Sequence, residues 1–429
     1  MLGMKTIQTA IVAAFAAAFA FGAASALQVT DLANLGKMPH GTETTLGTKL
    51  RVYRDLAYST RDDQADEGKG YAARGRGNGT HRSGTYFDVY AADSLFSAAD
   101  VRAKTPVFVF MHGGSWSQAY DKDVACHELL RRVAAKGYFV LSMNYQLQND
   151  SVEAGAQTKR EKATFADMLA DVDAMVSYLK KSLPAMGLPT DKLVFGGESA
   201  GGHLAMCYAW DQDAPGISGL KLSPDLRVSC VTSVVGPSDL TEGQLAEILF
   251  SDMGKMIPIP QLQGMGKLMG WLTDADLMNM EGSAAKAIVK KWAPVTLVKP
   301  ASCPAILAYA CDGGFVGPNS SDMIVPVSNF TSLTNRLTVA GVPHDAKLFM
   351  NTKHWEVGTN ADKGQGVEWI SERLAAFKEK GFAAAKAPAK ASAESGEAAA
   401  KATGAKKAPA AKKADPRKVQ KTRTTRQAK

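Results

Sequence analysis

The stretch Leu193-Val194-Phe195-Gly196-Gly197-Glu198-Ser199-Ala200-Gly201-Gly202-His203-Leu204 decides the fold. It opens with a short apolar run, of the kind that forms a strand buried on both faces. A Gly-x-Ser-x-Gly pattern follows, and a segment with helical spacing comes directly after it. A tight turn between strand and helix lifts the Ser199 hydroxyl above the end of a sheet. Glycines at 197 and 201 leave room for neighbouring backbone, and the Ala200 N–H points to where an oxyanion would form. Alone, Gly-x-Ser-x-Gly is a weak pattern. With a strand before it and a helix after it, the segment reads as a nucleophile elbow rather than an ordinary glycine turn.

Outward from this turn the chain alternates strands and helices. Apolar runs at 106–111, 138–143, 193–197, 229–235, 305–310 and 347–350 predict strands, and helical spacing predicts helices over 126–136 and 163–183. Repeated strand–helix–strand units predict an α/β architecture: one doubly wound domain with a mostly parallel sheet and helices on both faces. Residues 241–292 break the alternation. Met253, Met256, Met265, Met269, Trp271 and Met280 crowd there, which fits either a small helical core or a helical lid whose adaptable methionines line an acyl pocket.

A second pattern, His112-Gly113-Gly114-Ser115-Trp116, follows the strand at 106–111. Its glycines can turn their N–H groups toward a substrate carbonyl and complete an oxyanion hole with Ala200. His112 is expected to brace this loop rather than act as a base. After Ser199 the remaining histidines are His203, His344 and His354. His203 falls on the elbow helix, four residues past the serine. His344 precedes the last strand, at the wrong end of the sheet. His354 follows that strand, at the carboxyl edge where ligands bind in open α/β sheets, and is the expected base. Two carboxylates compete for the orienting acid: Asp312, directly after the strand at 305–310, and Asp322, ten residues on.

These motifs resemble the α/β-hydrolase esterases related to hormone-sensitive lipase, kynurenine formamidase and prenylcysteine methylesterase. The resemblance covers about residues 85–380 and takes in Phe87-Asp88-Val89-Tyr90, His112–Trp116, Asn144-Tyr145, Asp171 and Gly197–Ala205. In such relatives the acid opens an Asp-x-x-Val-Pro segment, which matches Asp322-Met323-Ile324-Val325-Pro326 and favours Asp322 over Asp312. The resemblance implies an α/β-hydrolase fold with a lid near 241–292 and a triad of Ser199, Asp322 and His354. It implies an oxyanion hole of Gly113, Gly114 and Ala200, substrate contacts from Trp116 and Glu198, and neither cofactor nor metal. It further implies hydrolysis of small acyl or aryl esters, free or linked to polysaccharide. The alternatives are an arylformamidase-type amidase, suggested by the Gly-Gly-x-Trp pattern, and a non-catalytic binding or adhesion protein on the same fold. Gln146 stands where relatives often carry Arg, and 311–321 reads as an insertion.

The ends of the chain differ from its middle. Lys5, the apolar stretch Ile7–Gly22 and the small residues Ala24-Ser25-Ala26 predict a signal peptide over 1–26, hence a secreted or periplasmic protein; an uncleaved anchor is the competing expectation. The catalytic domain is expected over 27–382. Residues 383–429 are rich in Ala, Lys and Pro, with thirteen Lys/Arg against three Asp/Glu. This excess is larger than the formal +8 of all 429 residues, so the rest of the chain is close to neutral. With almost no large apolar residue, the tail is expected to be disordered. Its charge offers contact with an anionic cell-surface polymer. It has no interleaved aromatics for base stacking, which argues against specific nucleic-acid binding, and the plainest expectation is a solvated tail. Five cysteines are too few for a disulfide scaffold, and an odd number leaves at least one unpaired. Cys303 and Cys311 flank a strand of about 26 Å and are not expected to bond each other.

Overall fold

The computed structural model describes residues 28–59, 85–116, 122, 126–147, 164–211, 226–240, 287, 290–312, 325–359 and 365–380. They form a nine-stranded sheet: β1 (Gly41–Thr45), β2 (Thr48–Ala57), β3 (Tyr86–Ala92), β4 (Val107–Met111), β5 (Phe139–Met143), β6 (Leu193–Glu198), β7 (Val228–Val234), β8 (Ala305–Cys311) and β9 (His344–Met350). The spatial order is β1-β2-β3-β5-β4-β6-β7-β8-β9. Strands β4 to β9 pair in parallel, whereas β1, β2 and β3 add an antiparallel flank against β5. All six strands predicted from apolar runs are present. The antiparallel flank is not among the predicted strands, and the last strand begins earlier than expected, so that His344 is its first residue, paired with Ala305.

The inner parallel strands β4 to β8 are largely apolar on both sides because both faces are covered, while β9 at the edge is partly exposed. On β4, Val107, Val109 and Met111 enter one buried cluster while Phe108 and Phe110 enter the other, as the two-residue period of a strand requires. Helices α2 (Phe165–Met186), α3 (Ala200–Asp211) and α4 (Val327–Ala340) pack on the first face. Helices α1 (His127–Ala135) and α5 (Gln365–Lys380) pack on the second. Helix α2 starts in a capping box, in which the Thr164 side chain accepts from the Asp167 N–H and the Asp167 side chain accepts from the Thr164 N–H. It runs through Pro184 to Met186, beyond the expected end, and stops at Gly187 in the left-handed conformation.

Strand β4 is the topological switch point: the chain passes from it to β5 on one side and to β6 on the other. The carboxyl ends of adjacent strands that lead in opposite directions leave a crevice between them, where open α/β sheets bind ligands. Met111 pairs with Gly197 at that edge. Both signature motifs therefore leave the sheet side by side. No disulfide joins any of the cysteines Cys126, Cys207, Cys230, Cys303 and Cys311. The predicted signal segment, all but the carboxyl end of the predicted lid, Asp322 and the basic tail lie outside the described residues.

Candidate active site

Ser199 sits between β6 and α3 at φ 51°, in the left-handed region that costs a residue with a Cβ about 1–2 kcal/mol. The turn is held by its backbone: the Ser199 N–H donates to the Val234 carbonyl at 2.8 Å, and the Ser199 carbonyl accepts from the His203 N–H at 3.0 Å. The two flanking glycines are required by close approach. A Cβ on Gly197 would meet the Gly202 nitrogen at 2.6 Å, and one on Gly201 would meet the His112 carbonyl oxygen at 2.5 Å. Ser199 remains partly accessible while Glu198 and Ala200 are buried. Strained backbone supported on every side in this way is typical of functional turns.

The loop after β4 packs onto this turn. A Cβ built on Gly113 would lie 3.3 Å from the Ser199 Cβ and 3.2 Å from the Glu198 carbonyl oxygen, so the loop and the elbow are in van der Waals contact. Gly114 at φ 107°, Ser115 at φ 52° and Trp116 at φ 58° form a run of left-handed residues that peels the loop off the sheet. His112 braces it. Its Nδ1–H donates to the Gly113 carbonyl at 2.7 Å, its ring stacks on Tyr145 with centroids 4.5 Å apart, and its carbonyl accepts from the Tyr145 hydroxyl at 2.8 Å.

His354 lies four residues past the end of β9 and is buried. Its loop is closed by a Glu356 N–H to Lys353 carbonyl bond of 3.0 Å. It is tied to β8 by the Thr352 N–H, which donates to the Cys311 carbonyl at 3.2 Å. The charges of His354 and Glu198 act on each other: the imidazolium pulls the Glu198 carboxyl down, against the larger effect of burial, which pushes it up. The Cys126 thiol hydrogen-bonds the same carboxyl. The structure thus brings Ser199, Gly113, Glu198 and His354 to one edge. Asp312 directly follows β8 and is half-buried, and Asp322 falls outside the described residues.

His203 faces away from this edge. Its Nε2–H donates to the Trp292 carbonyl at 2.8 Å, and burial lowers its pKa to about 4, which keeps it neutral. Trp116 crosses its ring edge-on at 5.2 Å, Phe165 lies 4.8 Å away, and Trp292 meets Phe165 at 5.5 Å. The Trp116 side chain therefore belongs to a buried aromatic group beneath the 112–116 loop.

Residues 94–327 match the BD-FAE family. The chain belongs to that family. The BD-FAE match takes in the oxyanion motif and the elbow and ends before His354. Among curated proteins, the probable carboxylic ester hydrolase LipM of Mycobacterium tuberculosis is 26% identical over 219 residues, 50% of this chain and 44% of that protein. A probable isoprenylcysteine alpha-carbonyl methylesterase from Oryza sativa is 27% identical over 129 residues, 30% of this chain and 28% of that protein. The chain thus spans less than half the length of either. Among solved structures, an inhibited esterase B from Lactobacillus rhamnosis superposes with a TM-score of 0.53 at 16% identity, covering 86% of this chain and 97% of that one. A hyperthermophilic esterase from Pyrobaculum calidifontis gives a TM-score of 0.51 at 16% identity, with 82% and 90% covered. These likenesses establish the α/β-hydrolase fold.

The fold also explains residues that carried the resemblance without a role. Asp171 on α2 accepts from the Gln146 N–H at 2.8 Å and fixes the loop after β5. Asp88, fully buried on β3, pairs with Arg54 at 2.5 Å and with the fully buried Lys122 at 2.9 Å. Lys122 also pairs with Asp55 at 2.7 Å, and its backbone N–H donates to the Asn144 side chain at 2.8 Å. Lys122 was not singled out in the sequence. Its signal is a lysine six residues after Trp116, whose partners Asp55 on β2, Asp88 on β3 and Asn144 after β5 all lie more than twenty residues away.

Proposed function

We propose that this BD-FAE protein is a serine carboxylic-ester hydrolase that works through an acyl-enzyme. The Ser199 hydroxyl attacks the ester carbonyl while His354 takes its proton, and Asp322 holds the imidazole and stabilises the imidazolium. The N–H groups of Gly113, Gly114 and Ala200 receive the oxyanion, which sets in removing a single donor a cost of about 3 kcal/mol in transition-state stabilisation. His354 then returns the proton to the leaving alcohol, and water releases the acyl group by the same steps in reverse. The reading rests on one observation above all: Ser199 held at φ 51° on a strand-to-helix turn, with Gly113 packed against it. The names of the curated relatives and of the structural neighbours support it.

The substrates we infer are small acyl or aryl esters, including those on polysaccharide, met outside the cell after removal of residues 1–26. Residues 383–429 would act only as a basic tether. Incubation of the purified protein and of Ser199→Ala with p-nitrophenyl acetate, butyrate and octanoate tests the reading. Turnover that vanishes in the variant supports it, and the chain-length order sizes the acyl site. No turnover and no labelling by a fluorophosphonate would overturn it. Much faster cleavage of an N-formyl arylamine would replace esterase with amidase.

A further inference from the structure

We propose that Glu198 is a positioning residue for His354, held in place by the Cys126 thiol and by the missing side chain of Gly358; this rests on the esterase reading. Glu198 ends β6 directly before the serine, and only 7% of it is exposed. Its carboxyl lies between three separate pieces of the chain. One oxygen is 3.4 Å from the position a Cβ on Gly113 would take, at the oxyanion loop. The other is 3.7 Å from the corresponding position at Gly358, in the turn that carries His354. The Cys126 thiol, at the head of α1, donates to the same carboxyl and would stand 2.6 Å from a Cβ on Gly358. Only glycine lets the His354 turn close over this pair.

Cys126 is built for this position. It is buried at φ 50°, which a residue with a Cβ adopts only where its surroundings over-determine it. Burial and the adjacent carboxyl both push its thiol up, so it stays protonated and remains a donor. Among the described residues, the titratable groups acting on Glu198 are Cys126, at the head of α1, and His354, in the loop after β9. His112, on the oxyanion loop, spends its Nδ1–H on the Gly113 carbonyl. A carboxylate fixed at this point favours the imidazolium that His354 becomes when it accepts the serine proton. It also ties the base loop to the oxyanion loop, so the two halves of the site keep register. A buried carboxyl that merely fills space would do neither.

The test uses the full chain with p-nitrophenyl butyrate and, separately, the rate of phosphonylation by a fluorophosphonate, across pH 5 to 9. Glu198→Gln keeps the shape and removes the charge. It should lower kcat about tenfold with KM changed by no more than about twofold, and move the acid limb of the profile to lower pH. Cys126→Ala should lower kcat by about threefold, and Cys126→Ser, which restores a donor, should recover most of that loss. If Glu198→Gln does not fold, Glu198→Asp carries the test: retaining the charge at one methylene less, it should keep the acid limb in place and lose kcat. Wild-type kcat and an unmoved acid limb in Glu198→Gln would overturn the proposal, as would Cys126→Ser behaving like Cys126→Ala. A wild-type protein that neither turns over esters nor labels would overturn the esterase reading and this inference with it. An active wild type with indifferent variants would sink the inference alone.

Discussion

A Cβ on Gly201 would stand 2.5 Å from the carbonyl carbon of Met111, so the first turn of α3 rests directly on the end of β4. This contact brings the strand that launches the His112–Trp116 loop against the helix that follows Ser199. Gly201→Ala must push one of them away, and neither can move without disturbing the sheet pairing of Met111 with Gly197. We expect a loss of about 3 kcal/mol by urea denaturation, together with loss of Ser199 phosphonylation. An alanine variant as stable as wild type would contradict the packing.

The left-handed backbone of Ser199 separates stability from reactivity. Ser199→Ala and Ser199→Gly should both lack turnover, but glycine relieves the conformational cost that alanine retains. Ser199→Gly should be the more stable of the two by roughly 1 kcal/mol in matched denaturant titrations. Equal midpoints would show that the turn carries no strain.

Lys122 is a cation buried between two carboxylates, one of them also fully buried. Lys122→Met keeps the aliphatic stem and leaves the fully buried Asp88 with Arg54 alone. Removing one partner of a buried pair typically costs about 3–5 kcal/mol. Because Asp55 and Arg54 are partly exposed, we expect the low end, about 3 kcal/mol. A variant Lys122→Met/Asp88→Asn should recover part of it. Urea midpoints of the two variants decide the matter.

His203 makes stability depend on pH in a defined window. Burial holds it neutral down to about pH 4 in the folded protein, while its ordinary value is 6.5. Between these values the unfolded chain takes up a proton that the folded protein refuses. Stability therefore falls as pH drops from 6.5 toward 4, by up to about 3 kcal/mol from this group. His127, also lowered by burial, works in the same direction. Comparing the unfolding free energy at pH 7 and pH 4.5, His203→Phe should show the smaller drop. An unchanged drop would mean that His203 has no part in the acid sensitivity.

Truncation after residue 382 leaves every described element in place, including α5. Turnover of a soluble ester should be unchanged, while retention on an anionic resin should weaken at low salt. A large loss of turnover would assign the tail a part in catalysis.

The legible and illegible parts of the molecule divide along physical lines. Strands β4 to β8 are covered on both faces, so they appear in the sequence as largely apolar runs, whereas the partly exposed edge strand β9 shows only its apolar end at Leu348–Met350. In β1 and β2 exposed and buried positions mix, with Glu43, Lys49, Arg51, Arg54 and Asp55 among them, and β2 is interrupted by a register shift between Tyr53 and Leu56. Nothing in so polar a stretch announces a sheet. The turn at Ser199 and the glycine loop at 112–116 were readable as local turns because their backbone demands are met within five residues. The contacts of Glu198 with Cys126 and Gly358 were not, because they depend on three segments spread over more than two hundred residues meeting at one edge. Lys122 escaped notice for the same reason.

The absence of disulfides among the cysteines has a practical consequence. Cys126, Cys207, Cys230 and Cys311 are buried at the head of α1, within α3, on β7 and at the end of β8. Each is shielded from an alkylating reagent until its own element opens. The protein therefore carries a natural set of reporters, and the order in which their masses increase under mild denaturant would reveal which edge of the sheet gives way first.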